Sequence, residues 1–453
     1  MKQPNILVIV LDTLRNDFVG PLISRLRSLE FVSYNNVIAT SPWTTPSHAS
    51  IFTGLYPILH GAHETRDRKI IDVRLRKSRD ILSSDLSRLG YKTFLLTANP
   101  LISPPFGFTG FDYFHMHDYR LPLPLLNEKD LDILRELKLE HSPKNRIELV
   151  KILLKNKKYK LLIKDAANHF LIKLYHPLYI KLHDWPRDKG ARKIIHIVDK
   201  LLTDNSRDKK FIFINFMEVH EPYLLSQQFS KVHRENLLLN NEIDKDFVET
   251  IKCKYKQYSM YVFDKVIELM DILRRRNFFD NSLIIVTSDH GQLLGEYNRV
   301  GHGIFLYDEL IRVPLLVKYP SLFDVEITES SKYISLAKLR KFILGIANQK
   351  LEDDSILYSD IVFAESYGVQ DVFRKNLSDI EKMNLAKLEK YRIAVFFNGF
   401  KGIFNVSEWR IEDIVSYDGK KIDEDVSNYM KKIAVNFLKR SIKLSGVKLK
   451  RRN

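Results

Sequence analysis

Residues 281–320 read NSLIIVTSDHGQLLGEYNRVGHGIFLYDELIRVPLLVKYP, and the first ten positions decide the fold. SLIIVTS is a continuous apolar, β-branched run, the mark of a strand buried on both faces of a sheet. It stops at Asp289-His290-Gly291. An acid and an imidazole at the carboxyl end of a buried strand lie where open α/β sheets hold ligands and metals. Gly291 lets the chain turn sharply there. Gly301-His302-Gly303 adds a second imidazole in a glycine-flanked loop, and RVPLLVKY reads as the next strand. Alone, Asp-His-Gly is an ordinary strand-ending turn. The rest of the chain gives it more weight.

Working outward, NILVIVL over 5–11 is a second buried strand, closed by Asp12. VSYNNVIA over 32–39 reads as a short strand or extended loop. After it, Ser41-Pro42-Trp43-Thr44-Thr45-Pro46-Ser47-His48 turns into a helix that runs through IFTG. Pro46 suits a helix's first turn, and Thr44 and Thr45 sit at or just before it, either as capping residues or as hydroxyls aimed at an anion-friendly helix end. Helix SSDLSRLG leads to strand YKTFLLTA, which ends at Asn99-Pro100. Strand KFIFINF over 210–216 ends near His220-Glu221-Pro222-Tyr223, and helix YKQYSMYVFDKVIELMDILRRRN leads back to the opening stretch. Strands and helices alternate to about residue 320, which predicts an α/β fold: a doubly wound, mainly parallel sheet flanked by helices. Past that point DIVFAESY, YRIAVFFNG and FKGIFNV are short strands with glycine-containing turns, and DEDVSNYMKKIAVNFLKRSI is an amphipathic helix. They predict a small C-terminal antiparallel sheet with a terminal helix, so the expected division is 1–325 and 326–453. The tail VKLKRRN is basic and expected to fray.

Composition narrows the partners. Of 453 residues 45% are hydrophobic, ample for a large core, and the net charge of +16 suits anionic partners unless it is a proteome-wide lysine bias. A single cysteine, Cys253, excludes an intrachain disulfide. MKQPNILVIVLDT has too short an apolar run for a signal peptide, and no stretch approaches the length of a membrane span, so a cytoplasmic location is expected. The segment 119–205 stands apart. LPLPLLNEKDLDILRELKLE and NRIELVKILLKNKKYKLLIKDAANHFLIKLYHPLYIKLH are long, helical in period and rich in lysine. An ordinary solvated helical insertion is the favoured reading, and a peripheral membrane contact is the second.

Asp12, Thr44, His220 and Asp289-His290 all fall at strand ends or strand-to-helix turns, and such ends converge on one rim of a doubly wound sheet. Two carboxylates, an imidazole and a hydroxyl suit one divalent cation: Mn²⁺, Mg²⁺, Ca²⁺ or Zn²⁺. His220 and His302 would bind ester oxygens or protonate a leaving group.

With these residues in order, the chain resembles the sulfatase family of the alkaline phosphatase superfamily. PNILVIVLDTLRNDF resembles the family's opening strand and first metal ligand. SPWTTPSHASIFTGLYPILHGAH resembles its nucleophile signature, Cys-x-Pro-x-Arg followed by Thr-Gly. GYKTFLLTANP, GFTGFDYF, HEPY and NSLIIVTSDHGQLLGE with GHG and IRVPLLV follow in the family's order. The resemblance implies an alkaline phosphatase-like fold. It implies Asp12, Thr44, Asp289 and His290 as metal ligands, Thr44 as nucleophile, and His48, Asn99, His220 and His302 at the substrate. His48 replaces the signature arginine, and His302 stands in the place of a lysine. Thr13 stands where many sulfatases have a second metal-binding aspartate, which implies a one-metal site.

The departure at Thr44 shapes the functional expectation. True sulfatases oxidise a cysteine or serine at that position to formylglycine, and a threonine, with its β-methyl, cannot form that aldehyde. No formylglycine is expected. A phospho-threonine is open to in-line displacement, whereas a sulfo-threonine lacks the elimination route of a formylglycine hydrate. The favoured expectation is a metal-dependent hydrolase of phosphate or sulfate esters, with phosphoesters and phosphodiesters preferred. One alternative is a transferase of phosphoethanolamine- or phosphoglycerol-like groups to a glycan or lipid-linked acceptor. Another is an inactive anion-binding scaffold. The expected partner is a small anionic ester, free or carried on a glycan or lipid. Nucleic acid is not expected, since the basic residues form no recognised motif.

Overall fold

The run NILVIVL forms the strand Asn5–Leu11 in the middle of a seven-stranded sheet. It pairs in parallel with Lys210–Phe216 on one side and Ser282–Thr287 on the other. Lys92–Thr97 and Tyr113–Met116 extend the sheet in parallel beyond Lys210–Phe216. On the opposite flank Leu315–Lys318 runs antiparallel to Ser282–Thr287, and Val32–Tyr34 closes that edge. The sheet is therefore mixed and mainly parallel, as expected. The computed structural model describes residues 3–65, 72–76, 80–141, 145–203, 208–223, 226–370 and 377–445. The basic tail 447–453 and the last two positions of the expected 119–205 insertion lie outside the described residues.

Side-chain alternation along the first strand shows why both faces need cover. Ile6, Val8 and Val10 join one core with Phe52, Leu82, Leu86, Phe342 and Ile346. Leu7, Ile9 and Leu11 point the other way and are equally inaccessible to water. A strand apolar on both faces is stable only between two layers of helices.

Two compact units emerge, residues 1–118 with 190–453, and residues 119–189. The insertion is thus shorter than the expected 119–205. The helix Ala191–Thr203 belongs to the main unit, where it buries Ile194, Ile195 and Val198, and the Ala191 amide donates to Glu218 Oε1 at 2.9 Å. The division expected at 325 also falls differently. The helix Leu339–Ala347 carries Leu339, Phe342, Ile343 and Ile346 on one face, a helical spacing that places them in the main core. The C-terminal strands Ile361–Ser366, Arg392–Phe397, Phe400–Asn405 and Arg410–Ser416 form the expected antiparallel sheet. Asn398 and Gly399, both with positive φ, make its tightest turn. Ile393, Val395 and Phe404 on one face meet Met430, Ala434 and Leu438 of the terminal helix Glu424–Ser445. Val362, Ala364 and Phe396 on the other face pack with Ile38, Leu310 and Ile311. One continuous unit results.

Gly291 is held by a close approach. Its amide donates to Leu310 O at 2.8 Å, and a Cβ built on it would lie 1.9 Å from Glu309 O. Gly291→Ala should therefore destabilise the chain by about 1–3 kcal/mol through forced backbone displacement. Denaturant unfolding checks this, with a lower midpoint at unchanged slope as the expected result.

Candidate functional site

The carboxyl-terminal rim of the parallel strands gathers the polar groups. Asp12 follows the first strand, Asn215 lies near the end of Lys210–Phe216, and Asp289 and His290 follow Ser282–Thr287. The pairing of Val10 with Asn215 and of Val10 with Thr287 sets these ends level with one another. The helix Thr44–Thr53 starts at the same place, with Thr44 in its first turn. All of these side chains are buried.

Each of the two aspartates is tied by one oxygen and bare at the other. Asp12 Oδ2 accepts from Asn99 Nδ2 at 2.9 Å and from Asn215 Nδ2 at 3.3 Å, while Oδ1 has no hydrogen-bond donor. Asp289 Oδ1 accepts from the amides of Thr13 at 3.2 Å and His290 at 3.0 Å. Asp289 Oδ2 lies 3.3 Å from His48 Nδ1 and 3.4 Å from His290 Nε2, but neither gives it a well-aligned hydrogen bond. Ser47 Oγ donates to the Asp289 carbonyl at 2.6 Å and fixes the turn.

His290 completes the group. Its Nδ1 lies 2.9 Å from Gly291 O, and a carbonyl only accepts, so Nδ1 carries the proton. Nε2 is then the lone-pair nitrogen. It sits 3.3 Å from Thr44 Oγ1 and 4.0 Å from Asp12 Oδ1. Two bare carboxylate oxygens, a hydroxyl and an imidazole lone pair thus converge with their acceptor sides together. Buried acceptors without donors are costly, and their convergence fits a shared divalent cation. The residues present therefore fit the one-metal set Asp12, Thr44, Asp289 and His290.

The electrostatics agree. Burial raises the Asp12 carboxyl above its usual range, and the charge of Asp289 raises it further, against the pull of His220, His290 and His48. Burial pushes Asp289 the same way, but His290, His48 and the Thr13 amide outweigh it and hold the group low. One acid is strained by its neighbour and the other is already committed to its charge.

A second cluster, His220, Glu221 and His302, offers its own convergent ligand atoms. The His302 ring centroid lies 4.7 Å from that of His290 and 5.1 Å from that of His220. Gln292 links the members: Nε2 donates to Glu221 Oε2 at 3.1 Å, and Oε1 lies 2.7 Å from His302 Nδ1. That contact sets the His302 tautomer, with Nε2 as its lone-pair nitrogen. Burial drives the His302 pKa well below the usual imidazole value, against the opposing pull of Glu221. Glu221 in turn is held low by His220 and His302 despite its burial.

Thr44, Asp12, Asp289 and His290 therefore meet as the sequence implies, with His220 and His302 beside one another. Two residues expected at the substrate, His48 and Asn99, have partners within the protein. His48 is fully buried among Phe108 and Phe213, its Nδ1 lies 3.1 Å from Thr44 O, and its Nε2 lies 3.4 Å from Asn215 Nδ2. With both nitrogens engaged it positions the carboxylates. Asn99 likewise gives its amide to Asp12, and its Oδ1 accepts from the Leu101 amide at 3.0 Å. Sequence reading missed Asn215, Ser47 and Gln292. Only Asn215 carried a signal, as the one uncharged polar side chain in the otherwise apolar KFIFINF.

The sulfatase family profile covers residues 4–146 and 149–349. The uncharacterized sulfatase YidJ of Escherichia coli is 22% identical over 71% of this chain and 63% of its own length. The ulvan-active sulfatase of Formosa agariphila is 23% identical over 78% of this chain and 63% of its own. The match thus spans less than two thirds of either relative. Among solved structures, the phosphonate monoester hydrolase of Agrobacterium radiobacter superposes with a TM-score of 0.60 at 15% identity, covering 98% of this chain and 96% of that one. A 2-O glycosaminoglycan sulfatase gives a TM-score of 0.63 at 14% identity, covering 100% and 95%. These superpositions speak for the fold. With well over half of its length matched by the family profile, this chain belongs to the sulfatase family.

Proposed function

We propose that the chain is a metal-dependent hydrolase of anionic esters in which the Thr44 hydroxyl is the nucleophile and phosphoesters are preferred over sulfates. The observation that carries this reading is the Thr44 Oγ1 contact. It lies 3.3 Å from the lone-pair nitrogen of His290, beside two carboxylates with bare oxygens. An unassisted hydroxyl is a weak nucleophile at neutral pH. A divalent cation held by Asp12, Asp289, His290 and Thr44 would supply the charge that favours the alkoxide and neutralises an ester oxygen.

The remaining steps belong to the chain's own groups. The first turn of Thr44–Thr53 directs backbone amides toward negative charge developing at Thr44. His48, Asn99 and Asn215 hold the carboxylates in place and exclude water behind them. His302 presents Nε2 with its tautomer fixed by Gln292 and receives or returns a proton at that atom. Glu221 offsets part of the burial penalty on a proton held by His302. Attack by Thr44 Oγ1 at phosphorus forms the new P–O bond and breaks the bond to the leaving oxygen, and the hydroxyl's proton passes by way of the lone-pair nitrogen His302 Nε2 to that oxygen. Water then displaces the phosphoryl group from Thr44 and restores the hydroxyl. Threonine at this position favours phosphorus, because in-line displacement is open to a phospho-threonine. The relatives and fold neighbours include sulfatases and phosphonate monoester hydrolases, so both ester classes belong in the test. The named glycan sulfatases among them support a small anionic or glycan-borne ester as substrate.

Asp289→Asn should cut metal affinity by about tenfold or more, since it removes a ligand and weakens the hold on His290. Metal analysis after dialysis against Mn²⁺ or Zn²⁺ reads this directly, and unchanged stoichiometry and affinity would sink the assignment. Thr44→Ala should lower turnover by roughly a thousandfold or more while leaving the fold intact. A panel of aryl sulfates, phosphomonoesters, phosphodiesters and phosphonate monoesters ranks the substrates. Wild-type rates in Thr44→Ala, or aryl sulfates turned over faster than every phosphoester, would show the proposal to be wrong.

A further inference from the structure

We propose that the helix Tyr159–His183 docks the chain on an anionic lipid surface, with its axis in the plane of that surface. The helix is apolar on two faces, and its own unit covers one of them. Leu161 joins Leu126, Leu134, Leu149 and Leu153 in a small core, and Asn168 Oδ1 accepts from the Leu125 amide at 3.2 Å. The opposite face is bare. Ile163, Phe170, Leu171, Leu174, Leu178 and Leu182 are each 41–79% exposed. Their spacing keeps them within an arc of roughly 120° at about 100° per residue. A stripe of large apolar side chains this long is the kind of surface that soluble proteins cover with a partner.

Charge selects the partner. Between residues 146 and 183 nine Lys or Arg stand against two acids, Glu148 and Asp165. Arg146 pairs with Asp165, and Lys164 takes Asp130. Lys155, Lys157, Lys158, Lys160, Lys173 and Lys181 are exposed around the stripe and its ends. Long basic side chains beside an apolar stripe lay their stems along the hydrocarbon and raise their ammonium groups to anionic headgroups. Among the described residues no helix is long and apolar enough to cross a membrane, which agrees with an in-plane arrangement. A second copy of the chain would bring the same positive charge against itself, so lipid is the better complement. This inference does not depend on the ester chemistry.

Sedimentation of the full chain with phosphatidylglycerol-containing vesicles, and with pure phosphatidylcholine vesicles, tests it. Binding to the anionic vesicles is expected, weaker at high ionic strength and much weaker on phosphatidylcholine. The double variant F170S/L174S changes only exposed side chains and should keep the wild-type unfolding midpoint. Its bound-to-free ratio should fall by about tenfold or more. No binding at low ionic strength, or equal binding by this variant, would overturn the proposal. So would equal binding to both vesicle types, or a concentration-dependent dimer that the variant dissolves.

Discussion

Two carboxylates buried side by side, each with one oxygen left without a donor, are the constraint around which the main unit is arranged. Taking a charge out of water costs several kcal/mol even after the protein relaxes. Asp12 and Asp289 also repel one another, as the raised pKa of Asp12 records. A core selected for stability alone would not keep such a pair. The surroundings hold it by anchoring only the far oxygens, through Asn99 and Asn215 for Asp12 and through the backbone of Thr13 and His290 for Asp289. Thr13 adopts φ of +63°, uncommon for a β-branched residue, and this conformation turns its amide onto Asp289. The strain and the orphaned acceptors fall at one place, and the acceptors fit the shared cation proposed for it.

His48 shows how one substitution in a signature changes a role. Where the family signature has a long cation, this chain has a ring whose two nitrogens are taken up by Thr44 O and Asn215 Nδ2. The ring buttresses the carboxylates from behind. His220 and His302 lie edge to face at 5.1 Å and are joined through Glu221 and Gln292.

Much of this was legible in the sequence because the central strands are apolar on both faces and end abruptly. NILVIVL before Asp12 and SLIIVTS before Asp289 announce strand, terminus and candidate ligand within a dozen residues. What stayed hidden follows from physics that no local window contains. The strand Arg410–Ser416 escaped notice because it is an edge strand largely open to water, and its side chains show no apolar alternation. The helix Leu339–Ala347 has a clear apolar face, but the change of rhythm after 320 hid its membership of the main core. Asn215, Ser47 and Gln292 take their roles from partners tens to hundreds of positions away, through rotamers that spacing does not encode. In the 119–189 unit the apolar and basic residues segregate only in part along the sequence, because its longest helix is apolar on two faces.

The place of Asn5–Leu11 at the sheet's centre bears on how the chain is made. Its two neighbours, Lys210–Phe216 and Ser282–Thr287, lie some 200 and 270 residues downstream. At roughly 5–20 residues per second, ribosomal synthesis leaves this mostly apolar strand without either partner for tens of seconds. Both of its edges are unpaired throughout that interval, a state that invites pairing with other nascent chains. This strand thus leaves the ribosome long before its sheet neighbours, and protection during translation matters to it more than its place in the finished sheet suggests.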